Sequence, residues 1–183
     1  MKKTFAAGFT LIETLMAILV LTIAIVGPLT IASKGLGAAL ISKDQTTAYL
    51  LAQDAIEYIR FKRDSNRLAG VVDSMQGLDG ANGCESSFGC MIDSIADMAT
   101  ACSSTCSPLN YDSTNYYFTY TSGTPSIFTR KVIITTPVCA SGGGNCNSDE
   151  FNITVTLTWH DVGGVSHTIS IQENLLDWQK QPT

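Results

Sequence analysis

Among the residues whose type and spacing suit chemistry, Glu13 stands apart, because its carboxylate sits at the edge of a stretch, Thr14 to Ser33, that holds no charge. An acid at mid-bilayer costs roughly 2.5–3.5 kcal/mol, so an acid beside such a stretch implies a partner that offsets its burial. Six cysteines, Cys84, Cys90, Cys102, Cys106, Cys139 and Cys146, all lie after that stretch, an even number suited to disulfides outside the cytoplasm. About fifteen connectivities are open to six cysteines. The simplest, Cys84–Cys90, Cys102–Cys106 and Cys139–Cys146, closes short loops in regions that lack a core. Each such bridge is worth at most roughly 2–3 kcal/mol, and its expected use is to hold an exposed loop in shape.

The other candidates for chemistry are weaker. A zinc site is disfavoured because no Cys-x-x-Cys pair occurs, and His160 and His167 flank a tight turn far from most of the cysteines. Asp73, Asp79 and Asn82 do not match the spacing of a dedicated calcium loop and read as a solvated acidic loop. Gly142-Gly143-Gly144 lacks the lysine and helix of a phosphate-binding loop. No nucleophile, base and orienting group form a recognised set, so neither an enzyme nor a cofactor or metal is expected.

The elements that position these residues are set by composition and period. The chain has 183 residues, 45% hydrophobic and 15% charged, with a formal charge of -5. That balance gives no footprint for direct nucleic-acid binding through phosphate neutralisation. Charge is uneven: residues 1–67 carry eight basic and five acidic side chains, whereas residues 68–183 carry three and eleven. The twenty uncharged positions from Thr14 to Ser33 match the ~20 residues of a membrane-spanning helix. Lys2 and Lys3 before them keep the N-terminus cytoplasmic and place the chain beyond Lys34 on the far side of the membrane. A secretory signal peptide has a shorter apolar core and a better small-residue cleavage site than Gly37-Ala38-Ala39.

Beyond the span, Ala48, Leu51, Ala52, Ala55, Ile56 and Ile59 recur at helical spacing, with Gln53, Glu57, Arg60 and Asp64 opposite. That apolar stripe is expected to cover a sheet. A helix running unbroken from Phe9 to about Arg63 would be roughly 80 Å long. Gly27-Pro28 predicts a kink or a meltable turn, and Gly35 with Gly37 leaves open a joint between two helices. Residues 67–115 read as a connecting loop, with Met91, Ile95, Met98 and Cys102 spaced as a short amphipathic helix within it. From residue 116 the period becomes that of strands. Tyr116 to Tyr120 and Ile127 to Thr136 are aromatic and β-branched, and Phe151 to Trp159 alternates and turns at Asp161 to Gly164 into Val165 to Ile171.

Lys2 and Lys3, then Gly8-Phe9-Thr10-Leu11-Ile12-Glu13, then an unbroken apolar helix, resemble the processing signal of type IV pilins and type II secretion pseudopilins. The resemblance is close over the first ~30 residues. It implies a leader at 1–8, cut between Gly8 and Phe9 by a prepilin peptidase, with N-methylation of Phe9. It further implies that Glu13 pairs with the cationic N-terminus of a neighbouring subunit and sets its register, and that Gly27-Pro28 lets the helix unwind on leaving the membrane.

The implied fold is α+β and pilin-like. A long N-terminal helix, membrane-borne over 9–33 and amphipathic over 34–66, packs on an antiparallel sheet of three to four strands in residues 116–183. The last part, Phe151 to Trp178, looks like minor pilins of the PilV and GspI kind. The implied partners are other pilins through the helix, the peptidase, the inner-membrane assembly platform and lipid. The implied location is the cytoplasmic membrane with the C-terminal domain outside it, then a filament in the periplasm or at the cell surface. The function implied is a minor pilin or pseudopilin. The alternative is a single-pass adhesin or receptor domain that never polymerises.

Overall fold

The structure, a computed structural model, describes residues 8–78, 83–135 and 150–176. It has one helix, α1 (Leu11–Leu68), followed by β1 (Cys90–Asp93), β2 (Met98–Ala101), β3 (Pro108–Asp112), β4 (Tyr117–Thr119), β5 (Thr124–Thr135), β6 (Glu150–His160) and β7 (Ser166–Leu176). The chain divides into two compact units, Met1–Asp44 and Gln45–Thr183.

The first unit holds α1 up to Asp44. Pro28 lies inside the helix, which also runs unbroken through Gly35 and Gly37. Two helices joined at 33–39 are therefore not what these residues form.

In the second unit the rest of α1 packs on a seven-stranded antiparallel sheet, an α+β arrangement. Ala48, Leu51, Ala52, Ala55, Ile56 and Ile59 are buried as their spacing requires, joined by Tyr58. The helix stops where Gly70, at φ +73°, takes the left-handed conformation. The Val71 amide then donates to the Asn66 carbonyl at 2.9 Å and the Gly70 amide to the Arg67 carbonyl at 3.0 Å, which satisfies carbonyls that a helix end leaves free.

The sheet runs β2-β1-β5-β3-β4, with β6 on the other side of β5 and β7 beyond β6. The β6–β7 hairpin pairs from Glu150↔Leu176 to His160↔Ser166 without a slip. Phe151, Ile153, Val155, Leu157 and Trp159 face the core, while the residues between them face outward. A one-residue shift would send that whole apolar set to water, so the alternation holds the register.

Two expectations are corrected. The sheet has seven strands rather than three or four, because the stretch 67–115 contributes β1, β2 and β3. Residues 91–102 form no helix: they are the β1–β2 hairpin, paired Cys90↔Ala101 to Asp93↔Met98. Their helical spacing of apolar residues is overridden by the turn. Asp93 Oδ1 accepts the amides of Ile95 at 3.1 Å and Ala96 at 3.0 Å, and Asp97 turns the chain at φ +51°. Gly89 brings β1 against β5, since a Cβ there would lie 2.6 Å from the Val132 carbonyl oxygen.

Candidate functional site

The apolar segment of α1 begins at a local cap. Gly8, Phe9 and Thr10 precede the helix, and Phe9 is 81% exposed. Thr10 Oγ1 accepts the Glu13 amide at 3.3 Å, and the Thr10 carbonyl accepts the amides of Glu13 at 3.1 Å and Thr14 at 3.2 Å. Thr10 to Glu13 thus has the threonine-x-x-glutamate spacing of a capping box, and the acid stands in the first helical turn, where the helix dipole favours it. No hydrogen bond or ion pair holds the Glu13 carboxylate among the described residues.

From Phe9 to Ile41, seventeen large hydrophobic side chains are exposed. Burial of such a side chain is worth about 1.5–3 kcal/mol, so leaving this set in water costs on the order of 20 kcal/mol, more than a typical domain's whole stability. The segment therefore requires an apolar surround. It is long and apolar enough to be a single membrane span. Its threonines suit that medium, because they bond back to the helix. Thr14 Oγ1 donates to the Leu11 carbonyl at 2.9 Å, Thr22 to Leu19 at 2.8 Å and Thr30 to Val26 at 2.8 Å. Gly27 and Pro28 lie between two of these, and Pro28 cannot donate to the turn before it.

The second unit holds α1 on the sheet through polar links. On β5, the inward row Phe128, Arg130, Val132, Ile134 contains one cation, and Arg130 is 1% exposed. Its Nη1 donates to the Leu51 carbonyl at 2.6 Å and to Asp54 Oδ2 at 2.8 Å, and its Nη2 donates to the Ile92 carbonyl of β1. One guanidinium thus ties α1, β5 and β1 together. Asp54 also accepts from Ser94 Oγ at 2.8 Å. Farther along, Arg60 pairs with Glu57 and Glu173, and Lys62 pairs with Asp97 at 2.8 Å.

Asp93 is the other buried charge. Burial pushes its carboxyl up, but donation from Thr119 Oγ1 at 2.6 Å and from the amides of Tyr120, Ala96 and Ile95 outweighs that and holds it below the usual carboxylate range. Burial raises the Tyr58 hydroxyl, as does its hydrogen bond to Asp97 at 3.0 Å. Tyr120 is likewise raised by burial, against the pull of the Arg130 charge. None of these groups lines up as nucleophile and base, and no cluster of metal-ligating side chains occurs among the described residues.

Cys84 and Cys90 form one disulfide and Cys102 and Cys106 another, with Cα–Cα separations of 4.6 and 4.9 Å. The first departs from the expectation for an exposed loop, because Cys84 and Cys90 are fully buried and belong to the core. Cys139, Cys146, Gly142-Gly143-Gly144, Asp79, Asn82, Lys2 and Lys3 lie outside the described residues. The structure thus brings Gly8, Phe9 and Glu13 together at one helix start and sets Gly27 and Pro28 farther along the same helix. Sequence reasoning missed Arg130, Asp54, Asp93 and the Thr10 cap. Only the cap has a local sequence signal, the Thr10–Glu13 spacing.

No family model, characterised protein or solved structure matches the chain.

Proposed function

We propose that the chain is a structural subunit of a filament, a minor type IV pilin or minor pseudopilin, cut between Gly8 and Phe9 and incorporated through α1. The observation that carries this reading is the start of α1: an exposed Gly8-Phe9 bond outside the helix, then an acid at Glu13 with no partner among the described residues, then an apolar segment with no burial of its own. A plain membrane anchor gains from Glu13 only the weak support of a first-turn acid. In a bundle of like helices the freed Phe9 amine of a neighbour supplies the missing cation. A subunit out of register then leaves a charge unpaired at a cost of several kcal/mol. Apolar helix packing replaces lipid around the rest of the segment.

Mass spectrometry of the mature N-terminus tests the proposal. Methylated Phe9 is the expected terminus, with Lys2 and Lys3 lost and the formal charge moved from -5 to -7. An intact Met1, or a cut near Ala39, refutes it and favours an anchored adhesin or receptor domain. Glu13→Ala and Glu13→Gln are expected to be processed normally and incorporated poorly. Normal incorporation of both removes the role given to Glu13.

A further inference from the structure

The sheet unit has one end at which α1 enters, and two of its hairpin turns lie there. Arg63 of α1 bonds the Leu176 carbonyl and Arg60 bonds Glu173, whereas Leu51, nearer the entry, bonds Arg130, which pairs with Leu157. Moving back along α1 therefore runs along β6 from Glu150 toward His160, and the Asp161–Val165 turn lies at the entry end. Because Thr129 pairs with Thr158 and Tyr111 with Thr124, the β3–β4 turn over 113–116 lies at that end too. With β5 between the two hairpins, the turns stand roughly 14 Å apart across the strands.

Past their leading aspartates the two turns carry no charge: one offers Val162 and Val165 around Gly163 and Gly164, and the other offers Tyr116 after Ser113, Thr114 and Asn115. Val162 is 94% exposed, Val165 57% and Tyr116 79%. Tyr116 adopts φ +60°, the left-handed region that a turn ordinarily gives to glycine or asparagine. A strained, exposed aromatic points to a function outside the fold. The acids of both turns are bent inward. Asp112 accepts from the amides of Thr114 at 2.8 Å and Asn115 at 3.2 Å, and Asp161 accepts from the Val165 amide at 2.9 Å and pairs with His167 at 3.1 Å.

The chain itself supplies what these tips meet. From Glu13 to Ile41 the helix rises ~43 Å, matching a bilayer of ~40–45 Å with its headgroups, and Lys34 is the one charge in between, long enough to reach the headgroup layer. The polar residues Ser42, Lys43 and Asp44 come next, and the sheet unit begins at Gln45. We propose that the Ser113–Tyr116 and Asp161–Val165 turns form a contact surface for the phospholipid headgroup layer. Tyrosine suits that layer, with its ring in the acyl boundary and its hydroxyl among the headgroups. The proposal rests on α1 being a membrane span, and not on filament assembly.

The test is tryptophan quenching in the full chain, reconstituted in phosphatidylcholine nanodiscs whose acyl chains are brominated either near the headgroup or near the chain end. Quenching is read as the increment over the parent, which carries Trp159 and Trp178. Leu21→Trp reports the span, and Val72→Trp, 93% exposed just past the other end of α1, is the control. Tyr116→Trp and Val162→Trp are expected to show several-fold more shallow quenching than Val72→Trp, with Leu21→Trp quenched by the deep bromines. Deep quenching at position 21 with positions 116 and 162 no different from 72 overturns the headgroup contact and leaves the span standing. Loss of deep quenching at position 21 overturns both.

Discussion

Replacing Arg130 probes the link that holds α1 to the sheet. Arg130→Ala removes a side chain buried to 1% exposure and takes a donor from the carbonyls of Leu51 and Ile92. A buried acceptor left short costs roughly 1–3 kcal/mol, and the void adds to it, so about 4 kcal/mol is expected. Arg130→Met fills most of the void but restores no donor, which leaves about 2 kcal/mol. Asp54→Ala removes the partner whose side chain is 42% exposed, but it leaves the buried Arg130 cation with carbonyl acceptors alone, so about 2 kcal/mol is expected. A double-mutant cycle between Arg130 and Asp54 should then give a coupling of about 1 kcal/mol. Urea titration of the full chain in detergent micelles, followed by near-UV circular dichroism, compares the three variants. The reasoning fails if Arg130→Met unfolds at the parent's midpoint, or if Asp54→Ala costs as much as Arg130→Ala.

The same contacts set three further outcomes. Asp93 has a depressed folded-state pKa, so its contribution is present above the unfolded value near ~3.9 and is lost as pH falls through the folded one. Asp93→Asn should cost roughly 2 kcal/mol at neutral pH and flatten the acid limb of a stability–pH curve, and an unchanged limb would exclude Asp93 as its source. Paired Cys102→Ser and Cys106→Ser changes should cost about 2 kcal/mol from loop entropy alone, whereas paired Cys84→Ala and Cys90→Ala changes should cost visibly more because those sulfurs are core atoms; equal urea midpoints contradict this. Thr10→Ala should speed amide exchange over Leu11 to Thr14 through a cap loss of about 1 kcal/mol and leave the sheet unit's urea midpoint alone. Exchange as slow as the parent's would show that the cap is idle.

Where one face of an element is buried and the other wet, period alone reveals it, as with the stripe from Ala48 to Ile59 and the alternation of β6. Legibility fails where a turn decides. Met91, Ile95, Met98 and Cys102 have helical spacing, but the Asp93 side chain bonds two amides that a helix would need and bends the chain into a hairpin. Arg130 was hidden because an inward strand position is expected to be apolar, and its acceptors are carbonyls that leave no mark in residue type. At the start of α1 the spacing of Gly8, Phe9 and Glu13 was plain. In the proposed filament its partner comes from a neighbouring subunit, which leaves no mark in the residue types of one chain.

The two roles open to Glu13 differ in magnitude, and that difference decides how they combine. As a first-turn acid it is worth roughly 0.3–1 kcal/mol to the helix, through its charge at the positive end of the helix dipole. As a charge buried among apolar helices it is worth several kcal/mol when paired and costs as much when alone. The local role is therefore too weak to oppose extraction from lipid, and the apolar side chains around it are equally served by lipid or by neighbouring helices. Apolar burial makes α1 indifferent between the two surroundings, so discrimination has to come from a polar term. Glu13 is the acid in the segment from Phe9 to Ile41, so in the proposed filament it is the group whose pairing would report the position of the next subunit's terminus.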